Sequence, residues 1–151
     1  MIKNTLAAAV IAVGVTPAAA EFSKYQCIFA EGKVARPTPT EIVFTVDTFS
    51  QFGRLEALTI PGVTTSDNPI RVVRNTKNVL LVEWFGHDYE FTAEAIDKGA
   101  KKWASYLDVK WPKHRFSVFL KKRNMEALTR SESTGHRPLS GHSSGSCIRL
   151  E

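Results

Sequence analysis

Five residues near the end of the chain, Gly141-His142-Ser143-Ser144-Gly145, spell the G-x-S-x-G string. In serine hydrolases that string holds a nucleophilic serine on a strained strand-to-helix turn, and the acid and histidine partners follow it along the chain. Here six residues follow Gly145, none is His, and Cys147 is among them. The preceding run, 131–140, is rich in Ser and Gly and lacks an apolar strand pattern. The chain is also far too short for that fold, so a serine hydrolase is a remote reading and no catalytic residue is assigned. His136 and His142 could meet His87 or His114 around a metal, yet zinc sites favour closer ligand spacing and supporting carboxylates, and Glu132 is the single acid nearby. Exposed histidines, no metal and no cofactor are expected. Glu83 and Asp88 flank Trp84-Phe85-Gly86-His87, with Glu90 and Glu94 following; such acids decorate hairpin ends more readily than they form an acid–base pair. The expectation is a non-enzymatic protein.

Charge carries the second signal. Between Lys98 and Arg123 lie nine basic residues and one acid, Asp108, a net +8, whereas the rest of the chain after residue 20 has ten basic and fourteen acidic residues, a net −4. Trp103, Tyr106, Trp111, Phe116 and Phe119 are interleaved. Cations mixed with aromatics mark surfaces for polyanions. A basic-aromatic face is therefore expected from Lys102, Lys110, Trp111, Lys113, Arg115, Phe119, Lys121, Lys122 and Arg123. The plainer reading of the same residues is strand alternation, with the aromatics in the core and the lysines on the solvated side.

The partners open to such a face depend on where the protein works. Lys3, the apolar run Leu6–Val15 and Pro17-Ala18-Ala19-Ala20 form the three parts of a secretory signal peptide, with Ala at −3 and −1 of the cleavage point. The apolar run is well short of the roughly 20 residues that span a bilayer. Residues 1–20 are read as a leader and 21–151 as one domain of 131 residues, with no transmembrane segment after cleavage. Export to the periplasm or beyond makes intracellular nucleic acid an unsuitable target. It leaves an anionic envelope component, such as lipid headgroups or lipopolysaccharide, or a protein. Export also favours a disulfide between Cys27 and Cys147, the two cysteines of the chain.

The elements that would position these residues are short and alternating. Ser23–Phe29, Glu41–Asp47, Leu55–Ile60, Ile70–Arg74, Asn78–Phe85, His114–Leu120, Met125–Thr129 and Ile148–Leu150 read as strands, rich in β-branched and aromatic residues. Pro61-Gly62 marks a turn, Asn75-Thr76-Lys77 a hairpin connection, and Gly86-His87-Asp88 a turn into Tyr89–Ala95. Ala93–Leu107 is ambiguous. It is compatible with a short helix near 94–104, but Gly99 weakens a helix interior, and a turn at Asp97–Lys101 followed by a strand over 102–111 is preferred. The stretch 131–146 is expected to be a long polar loop. The whole is expected to be all-β and mainly antiparallel, a small barrel or β-sandwich of eight to ten short strands. If the terminal strands pair, their disulfide closes a barrel, which requires the two Cα atoms within about 7 Å.

Tyr25-x-Cys27 at the start of the domain, a β-meander and a late Cys147 resemble the arrangement of bacterial periplasmic inhibitors of c-type lysozyme. Those inhibitors present a Ser-Gly-x-x-Tyr motif to the enzyme's cleft. Ser140-Gly141-His142-Ser143-Ser144 and Ser144-Gly145-Ser146-Cys147-Ile148 both lack the tyrosine, so no inhibitory residue carries over. The resemblance implies a periplasmic inhibitor of an exported hydrolase as one alternative. A barrel enclosing a small apolar ligand is another. The leading expectation is a binding or envelope-accessory domain.

Overall fold

Alternating sequences make strands with two unlike faces, and here the sheet they build curls until its first and last strands meet. The computed structural model of the chain describes residues 21–33, 36–87, 89–97, 114–133 and 140–150. Eight strands close the barrel: β1 (Phe22–Phe29), β2 (Glu41–Asp47), β3 (Phe52–Thr59), β5 (Pro69–Asn75), β6 (Val79–Phe85), β8 (His114–Lys121), β9 (Glu126–Ser133) and β10 (Ser140–Leu150). Each pairs antiparallel with its neighbour in the chain-ordered barrel, and β1 pairs with β10 to finish the ring. Two short strands, β4 (Val63–Thr64) and β7 (Glu90–Phe91), form a separate ribbon beside a single-turn helix, α1 (Ala93–Asp97). The architecture is thus an up-and-down barrel and not a sandwich.

The inward face holds the core. Tyr25, Ile42, Phe44, Val82, Trp84, Phe116, Val118 and Leu120 are buried, each on the alternate positions of its strand. Tyr25 stacks on Phe44 and Trp84 on Phe116, both with ring centroids 5.6 Å apart. The Trp84 Nε1–H donates to the Tyr89 hydroxyl oxygen at 3.0 Å, so the indole is buried with its polar atom satisfied. Outward positions carry ion pairs, including Lys24–Glu56, Arg71–Glu83 and Arg115–Glu132. The described part of the barrel thus combines an apolar interior with a wall that carries paired charges. Among the described residues, no helix is long and apolar enough to cross a membrane.

Cys27 and Cys147 are direct register partners on β1 and β10 and form a disulfide, with Cα atoms 3.9 Å apart. The cross-link joins the first strand to the last, at the pairing that closes the barrel.

Several expectations need correction. The polar loop at 131–146 is mostly strand: Ser131–Ser133 complete β9, and Ser140–Ser146 open β10, paired to β9 residue by residue. The reason lies in the inward face. Gly141, Ser143, Gly145 and Cys147 point inward from β10, and Ala127, Thr129 and Ser131 from β9, so this side of the barrel is lined by small side chains against the bulky ones opposite. Tyr89–Ala95 is not one extended segment, because Ala93–Ala95 begin α1. Asp97 belongs to that helix and not to a turn. Met125 ends a turn, with φ of 59°, and does not begin β9. The expected leader at 1–20 and the expected strand at 102–111 lie outside the described residues.

Candidate binding cleft at the loop end of the barrel

An up-and-down barrel places its connections alternately at its two ends, and here the ends differ. The connections 48–51, 76–78 and 122–125 are tight hairpins at one end, where β1 also begins and β10 finishes. At the other end lie the described residues 30–33, 36–40, 60–68, 86–87 and 89–97, between the barrel strands. Longer connections on a rigid scaffold are where binding groups concentrate.

At the loop end a cleft of about 330 Å³ lies between the β1–β2 connection and α1. Glu31, Gly32, Lys33 and Thr38 line one side; Gly62, Thr92 and Glu94 line the other. Local chemistry fixes both walls. Thr92 caps α1, its Oγ1 accepting the Ala95 N–H at 3.2 Å, and the Thr92 N–H donates to the Gly62 carbonyl oxygen at 2.8 Å. Gly62 sits at φ of 76°, in the left-handed region, and a Cβ there would overlap that of Ala95. On the facing wall, a Cβ on Gly32 would overlap the Thr38 hydroxyl. Pro37, Thr38 and Pro39 are all buried, and the Thr38 Oγ1 has no hydrogen-bond partner among the described residues. The cleft therefore offers both signs of charge at its mouth, Glu31 and Glu94 with Lys33, above a buried hydroxyl. It suits a partner with complementary polar groups.

At the same end of the barrel, β8 starts at His114, which is buried. Burial in an aromatic setting, with its ring 5.9 Å from that of Phe116, pushes its pKa down to about 4. The Tyr89 hydroxyl is pushed upward, chiefly by burial.

Five residues of the expected basic-aromatic face, Arg115, Phe119, Lys121, Lys122 and Arg123, are among the described residues. Arg115, Phe119 and Lys121 share the outward side of β8, beside Leu81 and Glu83 of β6 and Leu128 and Glu132 of β9. Its cations are met by acids there: Arg115 Nη2 donates to Glu132 Oε2 at 2.6 Å, Arg130 lies 3.6 Å from Glu132, and Lys121 lies 3.4 Å from Glu126. The hydrogen bond that Arg115 donates to Glu132 raises the Arg115 pKa. Lys122 and Arg123 belong to the hairpin end of the barrel. Lys102, Lys110, Trp111 and Lys113 lie outside the described residues.

Ser143 is no nucleophile elbow. It lies within β10 opposite Thr129, is buried, and donates its hydroxyl hydrogen to the Ala30 carbonyl oxygen at 2.6 Å. Both Ser-Gly strings of the lysozyme-inhibitor resemblance likewise fall in β10. His87 and His142 are exposed while His114 is buried, and no group of three or more His, Cys, Asp or Glu gathers as metal ligands among the described residues. His136 lies outside them. Sequence reasoning passed over Glu31, Lys33, Thr38 and Gly62. The Pro61-Gly62 turn is the signal the sequence offers, legible as punctuation but not as a cleft wall. No protein-family model, curated protein or solved structure matches the chain.

Proposed function

We propose that this chain is an exported, non-enzymatic binding domain that receives a polypeptide partner at the loop end of its barrel. The leader-like sequence at 1–20 and the Cys27–Cys147 disulfide support export. The observation that carries the binding role is the asymmetry of the ends: a charged cleft sits among the longer connections, while the barrel axis beneath is filled by Phe44, Trp84, Phe116 and their neighbours. A filled axis weighs against a carrier that encloses an apolar ligand. Glu31 and Glu94 would meet an amine or guanidinium of the partner, and Lys33 a carboxylate. These are the contacts that fix register at a polar interface.

The test is a pull-down from envelope extract with the mature domain, its Glu31→Lys/Glu94→Lys variant, and a variant with Lys121, Lys122 and Arg123 each changed to Gln. The expected result is a protein retained by wild type and by the glutamine variant but lost from the cleft variant. Capture that ignores the cleft charges would overturn the proposal.

A further inference from the structure

The end of the barrel opposite the cleft has a character of its own. Phe49 is 75% exposed, Phe52 66% and Phe22 64%. They are brought together by pairing: Phe22 is the register partner of Asp47, the Thr48 N–H donates to the Glu21 carbonyl oxygen, and Phe52 precedes Gly53, the partner of Val46. Asp47 Oδ1 accepts the Phe49 N–H at 3.0 Å and so fixes the turn that lifts Phe49 outward. Next along the rim, the Val72 N–H donates to the Gln51 carbonyl oxygen, and the register shift between Val72 and Arg74 leaves Val73 exposed as well. Single exposed apolar residues need no explanation, but three phenylalanines on one rim do.

The remainder of the same rim is cationic. On the barrel wall Lys24, Arg71, Arg115 and Arg130 are each paired with an acid. On the rim Arg74, Lys77 and Arg123 have no ion-pair partner among the described residues. The Lys122 N–H donates to the Asn78 carbonyl oxygen and its Nζ to Asn75 Oδ1, which ties the 122–125 hairpin to the 76–78 hairpin. Burial and the nearby positive charge of Arg149 lower the Lys122 pKa. Counting Arg74, Lys77, Lys121, Lys122, Arg123 and Arg149 against Glu21, Asp47 and Glu126, the rim carries six cations and three anions, a net +3. Lys121 is met by Glu126 and Arg149 by Glu21, and the excess positive charge that remains is complementary to an anionic surface.

We infer that the hairpin end docks on a bilayer bearing anionic phospholipid headgroups. Phe22, Phe49 and Phe52 enter the interfacial region while Arg74, Lys77, Lys122 and Arg123 face the headgroup phosphates. Apolar side chains at the tip and cations beside them are the combination that gives interfacial binding without a spanning segment. Docked in this way, the barrel stands with its loop-end cleft directed away from the membrane. The inference is independent of what fills that cleft.

The experiment is flotation of the mature domain with vesicles of phosphatidylcholine alone and of phosphatidylcholine mixed with phosphatidylglycerol, at low and high salt. Phe49→Ser/Phe52→Ser and Lys77→Gln/Arg123→Gln change exposed side chains only, and their thermal melts are expected to match wild type. Wild type should bind the phosphatidylglycerol vesicles, less tightly at high salt. Each charge removed should weaken partitioning about fivefold, the equivalent of about 1 kcal/mol per cation near an anionic surface. The serine variant should bind more weakly at both salt concentrations, and Glu31→Lys/Glu94→Lys should bind at least as well as wild type. Absence of binding to phosphatidylglycerol vesicles at low salt, or binding that survives both rim variants undiminished, would overturn the inference.

Discussion

A histidine buried against aromatic rings couples the stability of the barrel to pH. His114 in the folded chain titrates at about 4, depressed by burial, while in the unfolded chain it titrates near its ordinary value of 6.5. Between those values the unfolded state binds the extra proton, so acid favours unfolding. The contribution is intact above pH 6.5 and is lost progressively as the pH falls toward 4. The expected loss at pH 5 relative to pH 7 is about 2 kcal/mol, measurable as a lower urea midpoint. His114→Gln should flatten this dependence whatever its own stability. A wild-type midpoint that does not move between pH 7 and pH 5 would mean that His114 takes up a proton as readily as in the unfolded chain. The cue to its burial was present in the sequence: His114 shares its alternation with Phe116, Val118 and Leu120, but periodicity alone does not tell whether the first position of such a series is capped by other chain.

At the scale of elements, β6 and β8 show where the sequence was legible and β10 where it was not. Leu80, Val82 and Trp84, and likewise Phe116, Val118 and Leu120, announce their strands by apolar alternation, and the structure buries the expected face of each. β10 gives no such signal because its inward residues are Gly141, Ser143 and Gly145, which score as loop formers. They are small because the space is already taken. A Cβ on Gly145 would overlap the Ile28 carbonyl oxygen and crowd Phe29 across the β1–β10 pairing. Gly145→Val is therefore expected to destabilise the domain by about 1–3 kcal/mol in chemical denaturation, as overpacking does elsewhere. A neutral result would show that β1 and β10 are less closely apposed. The cleft was obscure for a different reason. Glu31, Lys33 and Glu94 come together only because β1–β2, β3–β5 and α1 converge at one end, a consequence of topology that no local pattern encodes.

The whole molecule is a ring of antiparallel strands whose ends are unlike and whose closure is covalent. The disulfide spans 120 residues, and a loop of that length restricts the unfolded chain enough to contribute about 4–5 kcal/mol by the chain-entropy estimate. That is comparable to the net stability of many domains. The cross-link therefore holds the scaffold on which the two ends are displayed. Short hairpins make one end, with its phenylalanines and an excess of cations; longer connections make the other, with a cleft of mixed charge. Hydrogen exchange of residues 21–151, free and bound to the protein captured from envelope extract, tests most directly whether the longer connections receive the partner. Added protection is expected at Glu31–Lys33, Pro61–Thr64 and Thr92–Ala95, with the strands unchanged. Protection confined to the outward wall of β6, β8 and β9 would contradict it.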